Sequence, residues 1–71
     1  MKIERLIKMA NDIGDFFNAE SNKEIAAEGI TKHILRSWDP RMRRDIIAYY
    51  QKDGSGLSEL AKTAISRLEQ V

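Results

Sequence analysis

Residues 37–44 have the sequence SWDPRMRR, which ends one helical pattern and begins the next. A residue that precedes proline is disfavoured in the α region, whereas proline itself is favoured at the first position of a helix. Asp39 is therefore predicted to be the N-cap of a helix that begins at Pro40. The preceding helix is predicted to end at residue 37.

The apolar spacing on both sides of this break is helical. Upstream, Ser21 and Glu24 have the spacing of a capping box and predict a helix over residues 22–37. Its inner stripe is predicted to contain Ala26, Ile30, His33, Ile34 and Ser37 or Trp38, with Ile25 and Leu35 at the flanks. Downstream, a helix over residues 40–52 places Met42, Ile46, Tyr49 and Tyr50 on one face and ends before Gly54 and Gly56.

Two further helices complete the pattern. Residues 2–18 repeat apolar side chains at helical intervals, and residues 58–70 do the same after Ser58, which is a good N-cap residue. The inward positions are Ile3, Leu6, Ile7, Ala10, Ile13 and Phe17 in the first segment and Leu57, Leu60, Ala61, Ala64, Ile65 and Leu68 in the last. The sequence thus predicts an all-α fold, a small antiparallel bundle of four short helices, with residues 1–71 as a single domain.

Composition excludes several classes of protein. The 71 residues carry 12 Lys and Arg against 11 Asp and Glu, with one His and no Cys, so neither a disulfide nor a structural zinc site is expected. No apolar run approaches the roughly 20 residues that cross a bilayer, and the first residues lack a secretory pattern, so we expect a cytoplasmic protein without membrane contact. A core this small predicts support from oligomerisation or from a larger partner.

Basic residues cluster around the break between the two central helices. Residues 32–44 contain five basic side chains and one acidic side chain. Cations at a helix N-terminus are unfavourable, so Arg41, Arg43 and Arg44, together with Arg36, suggest an anion or an acidic protein surface as their partner. The alternative is that these arginines pair with nearby carboxylates and lie in solvent.

Aromatic and histidine side chains provide the other candidate contacts. Trp38 is predicted to be a buried structural aromatic in preference to an interface anchor, and His33 a structural residue in preference to a base or a ligand. Tyr49 and Tyr50 are adjacent, so one of them is expected to face outward and favour an interface. The sequence contains no catalytic motif, which predicts that the chain is not an enzyme.

Three segments carry a resemblance to a known family: MANDIGDFF at residues 9–17, WDPRMRR at residues 38–44 and GLS at residues 56–58. They resemble the delta subunit of bacterial NAD-dependent formate dehydrogenase. The resemblance implies a small accessory subunit without its own cofactor, in a soluble molybdenum enzyme whose larger subunits carry molybdopterin guanine dinucleotide, iron-sulfur clusters and flavin. It further implies a part in assembly, stability or handling of the molybdenum cofactor.

The residues predicted to contact a partner or an anion are Trp38, Arg41, Arg43, Arg44, Arg36 and His33. In one hypothesis they dock on an acidic, apolar surface of a larger dehydrogenase subunit; in another, the basic helix end holds the pyrophosphate of molybdopterin guanine dinucleotide transiently. The alternatives are a small helical DNA-binding regulator, which the modest net charge does not favour, and a self-associating module that forms a homodimer when isolated.

Overall fold

The computed structural model describes residues 1–70, which form four α-helices. The helices are α1 (Ile3–Phe17), α2 (Lys23–Ser37), α3 (Pro40–Lys52) and α4 (Glu59–Leu68). The four predicted helices are confirmed, and each boundary lies within two residues of its predicted position. The all-α fold is confirmed as well.

The start of α2 differs from the prediction. Asn22, not Ser21, is the N-cap, and its Oδ1 accepts hydrogen bonds from the backbone amides of Glu24 and Ile25. With the cap shifted by one residue, Glu24 stands one position too early to reach back to the cap amide. Its carboxylate instead pairs with the Arg67 guanidinium on α4. The predicted capping box is therefore wrong, although the helix begins where expected.

The turn between α3 and α4 is closed by contacts from both sides. Gly54 and Gly56 have φ angles of 73° and 87°, a region in which glycine carries no steric penalty. The Tyr49 hydroxyl donates to the Ser55 carbonyl at 2.6 Å. On α4, the Ser58 hydroxyl accepts from the Ala61 amide, which confirms Ser58 as the N-cap.

The core lies where all four helices meet. Its largest fully buried side chains are Leu6, Ile30, Ile34, Ile46 and Ile65. Small residues let α2 and α4 pack closely, and the buried Thr31 hydroxyl lies within hydrogen-bond distance of the carbonyls of Ala27 on its own helix and Ala64 on α4. This bridge fixes the two helices against each other.

Both tyrosines of α3 are half-buried against the core, so the prediction that one of them faces outward is wrong. Helix α3 packs against α1 on one side and against α4 on another. Two adjacent side chains, separated by about 100° around a helix, can therefore both find neighbours. The outward aromatic of this protein is Phe16, on α1.

Candidate partner-docking surface

The corner between α2 and α3 has the local structure that its sequence predicts. The Asp39 carboxylate accepts a hydrogen bond from the Met42 amide at 2.9 Å, and Pro40 is the first residue of α3. Trp38, the C-cap of α2, donates its backbone amide to the Ile34 carbonyl. Only two residues therefore separate the end of one helix from the start of the next.

Arg43 is built into this corner as a structural residue. Its Nη1 atom donates to the carbonyl of Trp38 at 2.6 Å and, more weakly, to that of Leu35 at 3.4 Å. The last carbonyls of a helix lack partners within the helix, and a cation near them is favourable. A guanidinium that looks misplaced at the start of α3 thus stabilises the end of α2. Since Arg43 is half-buried, little of it remains for an external partner.

Trp38 supports the corner from inside. Only 4% of its surface is exposed, and it belongs to the core cluster together with Ile34 and Leu68. The preference for a buried structural tryptophan agrees with this placement.

Three arginines remain on the outside of the corner: Arg36 in the last turn of α2, and Arg41 and Arg44 in the first turns of α3. We call these three residues the basic corner. Among residues 1–70, none of them forms an ion pair within 4.0 Å, which differs from the alternative that they pair with Asp39, Asp45 or the acidic side of α1. The basic corner therefore presents three exposed guanidinium groups that form no ion pair within residues 1–70.

A shallow groove of about 250 Å³ lies beside the basic corner. It is lined by Leu35, Pro40, Arg43, Arg44, Ile47 and Leu68. Apolar side chains with a flanking guanidinium are a combination that suits a protein surface with both apolar and acidic groups.

His33 lies away from this groove. It is half-buried and borders a different, mainly apolar groove of about 320 Å³ between α1 and α2, together with Asp12, Ile13, Phe16 and Phe17. The structure therefore groups His33 with the aromatic end of α1 and not with the groove beside the arginines.

Phe16 is the surface residue that the sequence reasoning missed. Its side chain is 79% exposed, the largest value among the large apolar residues described. Phe17 points inward, and two consecutive helical residues lie about 100° apart. The double phenylalanine was therefore a usable signal that one ring faces solvent.

Residues 1–70 contain no metal-binding cluster, no buried unpaired polar side-chain atom and no membrane-spanning helix. No group of three or more His, Cys, Asp or Glu side chains there could hold a metal ion, and no buried side-chain nitrogen or oxygen atom lacks a hydrogen-bond partner. No helix of this part of the chain has the length and apolar character needed to span a membrane.

The corner also does not fit a resident pyrophosphate site of the kind that molybdopterin guanine dinucleotide would need. The Asp39 carboxylate already accepts a hydrogen bond from the Met42 amide, so it occupies the N-terminus of α3 at which a phosphate would bind.

A match to a protein family shows where this chain belongs. Residues 5–65, which are most of the sequence, match the family model described as "NADH-dependant formate dehydrogenase delta subunit FdsD". The chain belongs to the FdsD family. No curated protein and no solved structure matched it.

Two of the three segments that carry the FdsD resemblance contact each other in the fold. Asn11 on α1 donates from Nδ2 to the Gly56 carbonyl at 2.8 Å and accepts at Oδ1 from the Ser58 amide at 2.9 Å. Segment 9–17 therefore holds segment 56–58 through one amide side chain. The FdsD motif residues Asn11, Trp38 and Arg43 have structural roles, whereas Phe16, Arg41 and Arg44 remain at the surface.

Proposed function

We propose that this FdsD chain is a non-catalytic accessory subunit that docks on a larger subunit of formate dehydrogenase and supports the assembly or stability of the holoenzyme. The observation that carries the proposal is the family match over residues 5–65. A delta subunit acts in the presence of other subunits, so a docking surface is the first feature to identify on it.

The basic corner is the part of the surface that best supports docking. Arg36, Arg41 and Arg44 are exposed, and no carboxylate among residues 1–70 lies within 4.0 Å of their guanidinium groups. Guanidinium groups bind carboxylates in a bidentate geometry, which provides orientation as well as attraction. The proposed partner surface is therefore acidic where it meets this corner.

The rigidity of the corner favours the same role. Arg43 ties α3 to the last carbonyls of α2, and Trp38 fills the space beneath. The three exposed arginines are thus presented by a fixed backbone, which lowers the entropy lost on binding.

Charge reversal tests the proposal in the native host. The tagged chain is purified together with its partners, and the larger formate dehydrogenase subunits are identified by mass spectrometry. We expect the wild-type chain to recover them and the double variant Arg41→Glu with Arg44→Glu to recover far less, because like charges then face each other.

The matched control changes the net charge equally but outside the basic corner. Lys2→Glu with Lys52→Glu alters two exposed lysines, near the start of α1 and at the end of α3. This control is expected to recover the larger subunits as the wild-type chain does. Equal recovery by the corner variant and the wild-type chain would reject the basic corner as the docking site.

The same purification separates the rival functions. Recovery of nucleic acid without dehydrogenase subunits, with affinity falling steeply as salt rises, would support a DNA-binding regulator. Recovery of the chain alone, with a mass that grows with concentration, would support a self-associating module. Either result would overturn the accessory-subunit proposal.

A further inference from the structure

The C-terminal end of α1 presents an unusual aromatic arrangement. The Phe17 ring lies across α2 at Gly29, where a Cβ atom would stand only 2.5 Å from Cε1 of the ring. Phe16 meets Phe17 edge to face, with ring centroids 5.3 Å apart and an interplanar angle of 85°. The absent side chain at Gly29 thus lets one ring pack inward while it supports its exposed neighbour.

A second exposed apolar side chain lies nearby on α2. Ile25 is 55% exposed and stands one helical turn before Gly29, the residue against which the Phe17 ring packs. Single exposed apolar residues are ordinary on protein surfaces. Here Phe16 and Phe17 border one groove of about 320 Å³, and Ile25 precedes by one helical turn the glycine against which the Phe17 ring packs. We call Phe16, Phe17 and Ile25 the aromatic edge.

The aromatic edge and the basic corner are connected along α2. Residues 25, 29 and 36 follow the spacing of one helical face, and Ile25 and Arg36 are both exposed. Arg36 stands eleven positions after Ile25, which corresponds to about 16 Å along the helix axis. The Cα atoms of the protein extend over 31 Å in their longest direction, so one partner can cover both regions.

An interface of standard size would cover only a small share of this protein's exposed surface. The protein exposes 4647 Å². A stable interface of standard size takes about 800 Å² from each partner, roughly a sixth of this surface. Aromatic side chains in the middle of an interface commonly dominate its binding energy, and a ring already supported by another ring loses little conformational freedom when it binds.

We infer that the aromatic edge and the basic corner form one continuous docking face, in which Phe16 is the anchor that enters an apolar pocket of a larger formate dehydrogenase subunit. Charge complementarity defines the partner further, because Arg36 lies about 16 Å along α2 from Ile25 and requires a carboxylate at about that distance from the part of the partner surface that covers Ile25. This inference rests on the proposed function and adds to it the anchor and the shape of the partner surface.

The test uses larger subunits purified from a strain that lacks this chain, and the dissociation constant is measured for the full-length chain and its variants. Phe16→Ala is expected to raise the dissociation constant about tenfold or more, as truncation of an interface anchor does. The variant should fold normally because the ring is 79% exposed. Circular dichroism and thermal unfolding check this point.

Lys52→Ala is the control, since Lys52 is a long exposed side chain that lies outside the docking face, beside Ile3 and Tyr49. Its dissociation constant is expected to stay within about twofold of the wild-type value, below the tenfold change that 1.4 kcal/mol represents. If Phe16→Ala binds with wild-type affinity, the assignment of Phe16 as the interface anchor is overturned. In that case, weaker binding by the double variant Arg41→Glu with Arg44→Glu would still uphold the proposed function.

Two further outcomes are distinguishable. Failure of the wild-type chain to bind the larger subunits at all would overturn the proposed function and this inference together. Sedimentation of the wild-type chain as a dimer that Phe16→Ala converts to a monomer, with unchanged binding to the larger subunits, would assign the aromatic edge to a second copy of this chain. That result would also overturn the inference.

Discussion

Replacement of Asn11 by alanine tests whether one amide side chain holds the turn between α3 and α4 against α1. The change removes two hydrogen bonds, to the Gly56 carbonyl and from the Ser58 amide. Each is worth about 1 kcal/mol in net stability, while alanine regains about 0.5 kcal/mol of helix propensity over asparagine. We expect the free energy of unfolding to fall by about 1.5 kcal/mol, which lowers Tm by about 6–12 °C in a domain of this size.

Urea unfolding measures this loss, followed by far-UV circular dichroism and by the fluorescence of the buried Trp38. Asp12→Ala is the control, because it changes the next residue of the same helix and removes only the exposed ion pair with Lys8. Exposed pairs of this kind contribute about 0.3–0.5 kcal/mol, so the control should stay within about 0.5 kcal/mol of the wild-type protein. An Asn11→Ala protein as stable as Asp12→Ala would refute the role assigned to the amide.

Three other substitutions test particular contacts by the same unfolding measurement. Arg43→Ala should lower the free energy of unfolding by about 1.5–3 kcal/mol, because the Trp38 carbonyl loses a charged donor. Its control, Arg41→Ala, replaces an exposed arginine and should change the free energy of unfolding by less than about 0.5 kcal/mol. Equal effects of the two substitutions would show that Arg43 does not stabilise the corner. Asn22→Ala should lower the free energy of unfolding by about 1 kcal/mol and Ser21→Ala should leave it almost unchanged, since only Asn22 caps α2. A larger loss for Ser21→Ala than for Asn22→Ala would show that Ser21 is the cap residue, as the capping-box prediction states. Gly54→Ala should cost about 1–2 kcal/mol because of its φ of 73°, and an unchanged stability would contradict that backbone conformation.

The features that could be predicted from the sequence are those set by neighbouring residues. Asp39 and Pro40 define the start of α3 because the restriction before proline, the preference for proline at N1 and the cap all act within a few residues. The same local rules could not choose between Ser21 and Asn22, which are both good cap residues. Lys23 bears on that choice, since its Nζ donates to the carbonyls of Asn18 and Glu20 and closes the connection just before α2.

The features that escaped prediction depend on how the helices are placed relative to one another. Asn11 finds its partners 45 and 47 residues further along the chain. Arg43 is stabilising because α3 starts beside the last carbonyls of α2, and a charge pattern in one helix does not contain that information. An arginine at the start of α3 is in an electrostatically unfavourable position, and for Arg43 the compensation comes from within the fold.

The candidate surface was predicted only in part. Arg36, Arg41 and Arg44 lie at the surface, as an external partner requires, while Trp38 and Arg43 lie within the fold. The exposure of Phe16 was not predicted, because Phe16 stands next to Phe17, the last residue of the apolar repeat that faces the core from α1. A pair of adjacent aromatic residues at a helix end is therefore worth examining as one buried and one exposed side chain.

The most direct measurement compares the larger formate dehydrogenase subunits purified with and without this chain. Their molybdenum content and their rate of formate oxidation by NAD are determined on the same samples. A non-catalytic accessory subunit predicts that loss of the chain lowers both quantities in proportion, so that the rate per molybdenum stays constant. Unchanged molybdenum content and an unchanged rate would contradict a role in assembly or stability. A lower rate per molybdenum at unchanged iron and flavin content would contradict a non-catalytic role.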